Sequence, residues 1–154
     1  MGRLGDLRTI VERELNNMPD LSKRDAALIH LNGVSLAAVL VAEKRNLDPE
    51  LPAMAGLLHD MAAYLSGSYD DHAHRGAELA KTYLEELGST TQEENEIIVS
   101  MIWHHDDKDV IDSDWDEVLK DADVIHHCFQ DPSKPIKAKE QARYDALKKE
   151  FGLF

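Results

Sequence analysis

The chain has 154 residues, 43% of them hydrophobic and 31% charged, a balance that suits a protein with its own core and excludes a disordered or fibrous chain. A net charge of −13 argues against non-specific binding to a nucleic-acid backbone. The one cysteine, Cys128, excludes an intramolecular disulfide, and the longest unbroken apolar run, Leu36 to Ala42, falls far short of the roughly 20 residues of a membrane span.

No apolar signal core follows Met1, so the expected address is cytoplasmic, with no membrane partner. Glycine and proline are sparse while Ala, Leu, Glu and Lys are abundant, which favours helices, and no segment sustains the period-2 alternation of a half-buried strand. Residues 4–17 set Leu4, Leu7, Ile10, Val11 and Leu15 at helical spacing, and Pro19 lies beyond the stop at Asn16-Asn17. Ser22 is a candidate N-cap for a second helix from Lys23 to about Lys44. There His30, Val34, Ala37 and Val41 share one face, so the imidazole falls on the stripe that should meet the core.

Pro49 stands near the start of a third helix that carries Leu51 through His59-Asp60 to Ala63 or Tyr64. A helix of that composition is buried nearly all round. A buried imidazole beside a buried carboxylate costs several kcal/mol unless both are paired or bound to a cation. After a loop from Ser66 to Asp71, a fourth helix opens with His72-Ala73-His74-Arg75-Gly76-Ala77 and ends at Gly88. Thr90 or Thr91, with Glu93 or Glu94 completing a capping box, starts a fifth helix. It runs through Ile97, Ile98, Met101 and Ile102 to Trp103-His104-His105.

An acidic loop, Asp106 to Asp114, precedes a sixth helix from Trp115 to Phe129 with Asp123 among apolar residues. Pro132 and Pro135 end it, and Lys137 to Phe151 forms a seventh. Residues 134–150 gather Lys134, Lys137, Lys139, Arg143, Lys148 and Lys149, a solvated helix face or an anion site. The expected fold is all-α: a single-domain bundle of six or seven helices over 1–154, with its core at about 22–130, an N-terminal helix at 4–17 and a basic C-terminal helix at 137–151.

Seven of the eight histidines (His30, His59, His72, His74, His104, His105 and His126) fall where helices should converge, together with Asp60 and Asp123. Imidazoles with carboxylates, and no thiolate cluster to compete, suit one or two divalent transition-metal ions such as Fe, Mn, Zn, Co or Ni. In a helical bundle such a site is assembled from side chains on facing helices.

His30, His59-Asp60 and Asp123 resemble the H…HD…D signature of the HD-domain superfamily of metal-dependent phosphohydrolases, over about residues 22–130. The phrases AGLLHDMA and LKDADVI resemble two of its motifs. His72, four residues before Gly76-Ala77, and His104, after Ile102-Trp103, are similar to elements of the subgroup with a dinuclear centre. The resemblance implies the ligands His30, His59, Asp60, His72, His104 and Asp123, with Asp60 bridging two ions. His74 and His105 are the alternatives, and His126 and His127 read as structural.

The implied activity is hydrolysis of a small phosphorylated metabolite or nucleotide, a dinucleoside polyphosphate among them, by metal-activated water held at His59 and Asp60. A nucleic-acid polymer is not expected as substrate. Many family members carry a lysine shortly after the His-Asp pair, where this chain has Met61-Ala62-Ala63-Tyr64. Arg75 is therefore the expected phosphate contact, with Lys108 and Lys120 as further candidates. The same ligands also resemble those of mixed-valent di-iron oxygenases, and a non-catalytic sensor would keep the fold without turnover.

Overall fold

The computed structural model describes residues 2–154. In order, the elements are α1 (Arg3–Leu15), α2 (Leu21–Lys44), α3 (Glu50–Leu58), α4 (Met61–Ser66), α5 (His72–Leu87), α6 (Gln92–His104), α7 (Asp114–Phe129), a 3-10 turn (Ala138–Glu140) and α8 (Gln141–Glu150). There is no strand among the described residues. The architecture is all-α, as the composition and periodicity require.

The longest helix, α2, is the axis of the molecule and packs along both α3 and α7. It is apolar and long enough to match a membrane span, yet half of that window is buried in the protein and it turns His30 and Ser35 inward. Around it, Leu31 and Val34 meet Met54, Leu57 and Leu58 of α3, Ile98 and Ile102 of α6, and Leu119 of α7 in one core. Each such side chain contributes about 1.5–3 kcal/mol on burial. Close approach of α3 to α2 depends on Gly56, where a Cβ would stand 2.7 Å from the Ser35 Cα.

Three boundaries differ from the sequence expectation for local reasons. The N-cap of α2 is Asp20 rather than Ser22, because the Asp20 carboxylate accepts from the Ser22 and Lys23 amides (3.0 and 3.1 Å) and starts the helix at Leu21. The third expected helix divides in two at His59-Asp60, where Asp60 leaves helical geometry (φ −109°, ψ 9°). The C-terminal helix begins as a 3-10 turn, so α8 itself starts at Gln141. The capping box of α6 uses Thr91 and Glu94.

The acidic loop between α6 and α7 is strapped down by cations. Lys120, fully buried, donates to Val110 O (2.7 Å) and Asp112 (2.6 Å). Arg143 of α8 reaches Lys108 O and Val110 O and pairs with Glu117 and Asp121 of α7. Part of the basic C-terminal face is thus an anchor and not a solvated surface.

Candidate metal centre

Three histidines are fixed by the same local device. His59 at the end of α3, His72 at the start of α5 and His105 just past α6 each hold Nδ1 against the carbonyl three residues earlier: Gly56 O (2.7 Å), Tyr69 O (2.9 Å) and Ile102 O (2.7 Å). A carbonyl only accepts, so each Nδ1 donates and each Nε2 is the nitrogen turned toward the cluster. Carbonyl partners of this kind orient metal-binding histidines. His30, projecting from α2, meets His126 through its Nδ1 (2.9 Å).

The break at His59-Asp60 aims the Asp60 carboxylate between these rings. Its Oδ2 lies 3.1 Å from His30 Nε2 and 3.4 Å from His59 Nε2. Its Oδ1 lies 3.2 Å from His105 Nε2 and 3.5 Å from His72 Nε2. On the other side Asp123 Oδ1 stands 3.4 Å from both His30 and His59 Nε2, while Lys108, buried in the core, binds its Oδ2 at 2.9 Å. Two donors that share one ion at about 2.0–2.2 Å stand about 3–3.5 Å apart, which is the spacing found here.

Two features show that a cation suits the cluster. Asp60 Oδ1 and Asp123 Oδ1 are buried and accept no well-directed hydrogen bond among the described residues. His30 and His59 bring their Nε2 atoms within 3.1 Å of each other, and two lone pairs at that distance repel unless a proton or an ion stands between them. Burial disfavours charge on these groups, yet their mutual attraction outweighs it. Against that burial, Asp60 and Asp123 raise His30 and lift His59 to about 10. The Asp60 and Asp123 carboxylates, despite burial, are held well below the usual range, Asp60 chiefly by His59 and Asp123 chiefly by Lys108. His105 goes the other way, its pKa lowered by burial. Without metal the cluster stores protons where a dication would neutralise the same acids.

Several residues singled out in the sequence stand elsewhere. His104 points away from the cluster: its Nδ1 reaches Ser100 O (2.8 Å), with Asp116 3.5 Å away, and His105 takes the inward place. The signal for this was present, because Ile98, Met101, Ile102 and His105 form the buried i, i+3, i+4, i+7 stripe of α6, whereas His104 lies off it. Arg75 is not at the cluster, since its guanidinium ties the α4–α5 loop through Asp70 O, Ser66 Oγ and Ser68 O. Lys108 is spent on Asp123 and Lys120 on the acidic loop, so neither is available to a substrate. His74 pairs with Asp71 (2.8 Å) and stacks on Trp103. His126 and His127, read as structural, instead line the cleft above the cluster.

That cleft, about 460 Å³, has His30, Asp60, His72 and Asp123 as its floor and Tyr64 and Tyr69 on one wall. Lys137 and Lys139, from the segment before α8, line it as well.

Five helices and their ends thus deliver imidazoles and carboxylates to one buried point, a donor set that could hold a metal ion. The HD domain model matches residues 27–128, which span every one of these donors, and the chain belongs to the HD domain family. Comparison with curated proteins and with solved structures returned no match. The family is typical of metal-dependent hydrolases, and the buried His/Asp groups have the donor set to hold a divalent ion.

Proposed function

We propose that the chain is a metal-dependent phosphohydrolase acting on a small phosphorylated metabolite or nucleotide, with two divalent ions sharing Asp60. The observation that carries this reading is the division of that carboxylate, with Oδ2 facing His30 and His59 and Oδ1 facing His72 and His105. Each set, joined by Asp60, offers three donors. A divalent ion held there lowers the pKa of a bound water to about 7 and offsets charge on a phosphoryl oxygen.

The chain's own residues do the rest. Backbone carbonyls hold His59, His72 and His105 in the tautomer whose Nε2 faces inward, and Lys108 keeps Asp123 from rotating its inner oxygen away. Tyr64 and Tyr69, with ring centroids 6.5 Å apart, offer an apolar wall to an organic moiety. Lys137 and Lys139, rather than Arg75, supply the positive charge that a phosphate requires at a protein of net charge −13.

The test is to load the purified chain with Mn, Fe, Co or Ni and offer a panel of phosphate esters that includes dinucleoside polyphosphates. Turnover lost on chelation and in Asp60→Ala is the expected result. Joint replacement of Lys137 and Lys139 by alanine should raise KM with little change in kcat. No turnover across the panel, or iron-dependent oxygen uptake with an organic co-substrate instead, would overturn the reading.

A further inference from the structure

His127 has a feature that none of the roles above uses. One turn beyond Asp123 on α7, it presents Nε2 3.4 Å from Asp123 Oδ1, the same distance at which His30 and His59 stand from that oxygen. Its Nδ1 lies 3.0 Å from Oε1 of Glu140, a side chain only 2% exposed on the 3-10 turn. An ionised carboxylate only accepts, so Nδ1 donates and Nε2 is the nitrogen turned toward Asp123. It is aimed at a buried carboxylate oxygen that accepts no well-directed hydrogen bond among the described residues. Three imidazoles surround one oxygen, and each can meet it only through a proton or a cation. A cation relieves this arrangement, and the histidine–carboxylate pair behind it is how metal-binding imidazoles are oriented.

We propose that His127 is a further ligand of the ion held by His30, His59, Asp60 and Asp123, with Glu140 as its orienting partner. The inference rests on the reading that those four residues hold an ion, but not on what the loaded protein hydrolyses. His30, Asp123 and His127 already bring one donor atom each within 4.8 Å of one another. The His30 and His127 rings are near parallel (7°) with centroids 5.1 Å apart, so both can turn Nε2 toward a shared point. A consequence follows for the cleft. Glu140 sits on the turn that carries Lys139 and follows Lys137, so the metal, His127 and the two cleft lysines form one connected unit.

The test is a Co²⁺ titration of the full chain, followed by calorimetry and by the visible absorption of the bound ion. His127→Gln keeps a side chain that can still donate to Glu140 but has no imidazole nitrogen. Affinity should fall about 10- to 100-fold and the absorption bands should shift. Glu140→Gln, which leaves the ring in place, should weaken binding about 10-fold in the same direction. Wild-type affinity and bands in His127→Gln overturn the assignment. Should that variant lose its helical circular dichroism, wild-type affinity in Glu140→Gln overturns it equally. If the wild-type chain binds Co²⁺ as described but hydrolyses no phosphate ester, the phosphohydrolase reading falls and this assignment stands. If hydrolysis proceeds while both variants bind like wild type, the reverse holds.

Discussion

At the scale of single residues, proton and metal compete for the same atoms. His59, raised to about 10 against its burial, is charged near neutral pH in the metal-free protein. A raised pKa contributes stability fully below the ordinary value of 6.5 and loses it as pH climbs through about 10. Asp60 and Asp123, held low, contribute above the ordinary 3.8 and lose that contribution as pH falls through their lowered values. The metal-free chain should therefore lose thermal stability between pH 6.5 and about 10, while divalent-ion affinity rises over the same window because an ion must displace the His59 proton. Thermal unfolding with and without chelator across that range checks both signs. His105→Ala should lower metal content, whereas His104→Ala should leave it unchanged, as elemental analysis of the two proteins would reveal. Cys128 is 6% exposed and burial pushes its thiol to about 12, so alkylation of the folded chain at neutral pH should be far slower than of the unfolded chain.

At the scale of elements, the site depends on where helices stop. Had α3 continued through Asp60, as the apolar run suggested, the carboxylate would have followed the helical phase. Ending at Leu58 lets the neighbouring side chains of His59 and Asp60 point into one cluster. Such a break is hard to read from sequence, because Met61-Ala62-Ala63 are good helix formers and nothing like a proline marks the boundary. The caps were easier, since Thr91 with Glu94 satisfies local amides whatever the rest of the chain does. Two substitutions test the packing that holds these elements. Gly56→Ala forces a Cβ against the α2 backbone and should cost about 1–3 kcal/mol in denaturant unfolding. Lys120→Met removes charged hydrogen bonds to Val110 and Asp112 and should cost about 2–3 kcal/mol, with faster amide exchange in the loop at 106–113.

At the scale of the molecule, a chain of net charge −13 concentrates its buried acids where only cations make them tolerable. Lys120, Arg45 and Arg143 answer some of them, Lys108 takes one oxygen of Asp123, and Asp60 Oδ1 and Asp123 Oδ1 are left for protons or metal. A divalent ion held by the folded chain and not by the unfolded one should raise the midpoint of thermal unfolding. A free ion at 100 times its Kd adds about 2.7 kcal/mol, and Asp60→Ala should erase that increment. Scanning calorimetry of both proteins with added Mn²⁺ measures it.

By itself the sequence determined the helical class, the helices themselves to within a few residues apart from the split third, and the inward phase of His30, because periodicity and caps are local signals carried by neighbours in the chain. It also marked His59-Asp60 as a costly burial in need of a partner. Only the tertiary structure decided that Arg75, Lys108 and Lys120 are committed to the protein itself, and that Lys137, Lys139 and His127 line the cleft at the cluster. These outcomes turn on which side chains distant in sequence arrive at one place, and no residue's neighbours carry that information.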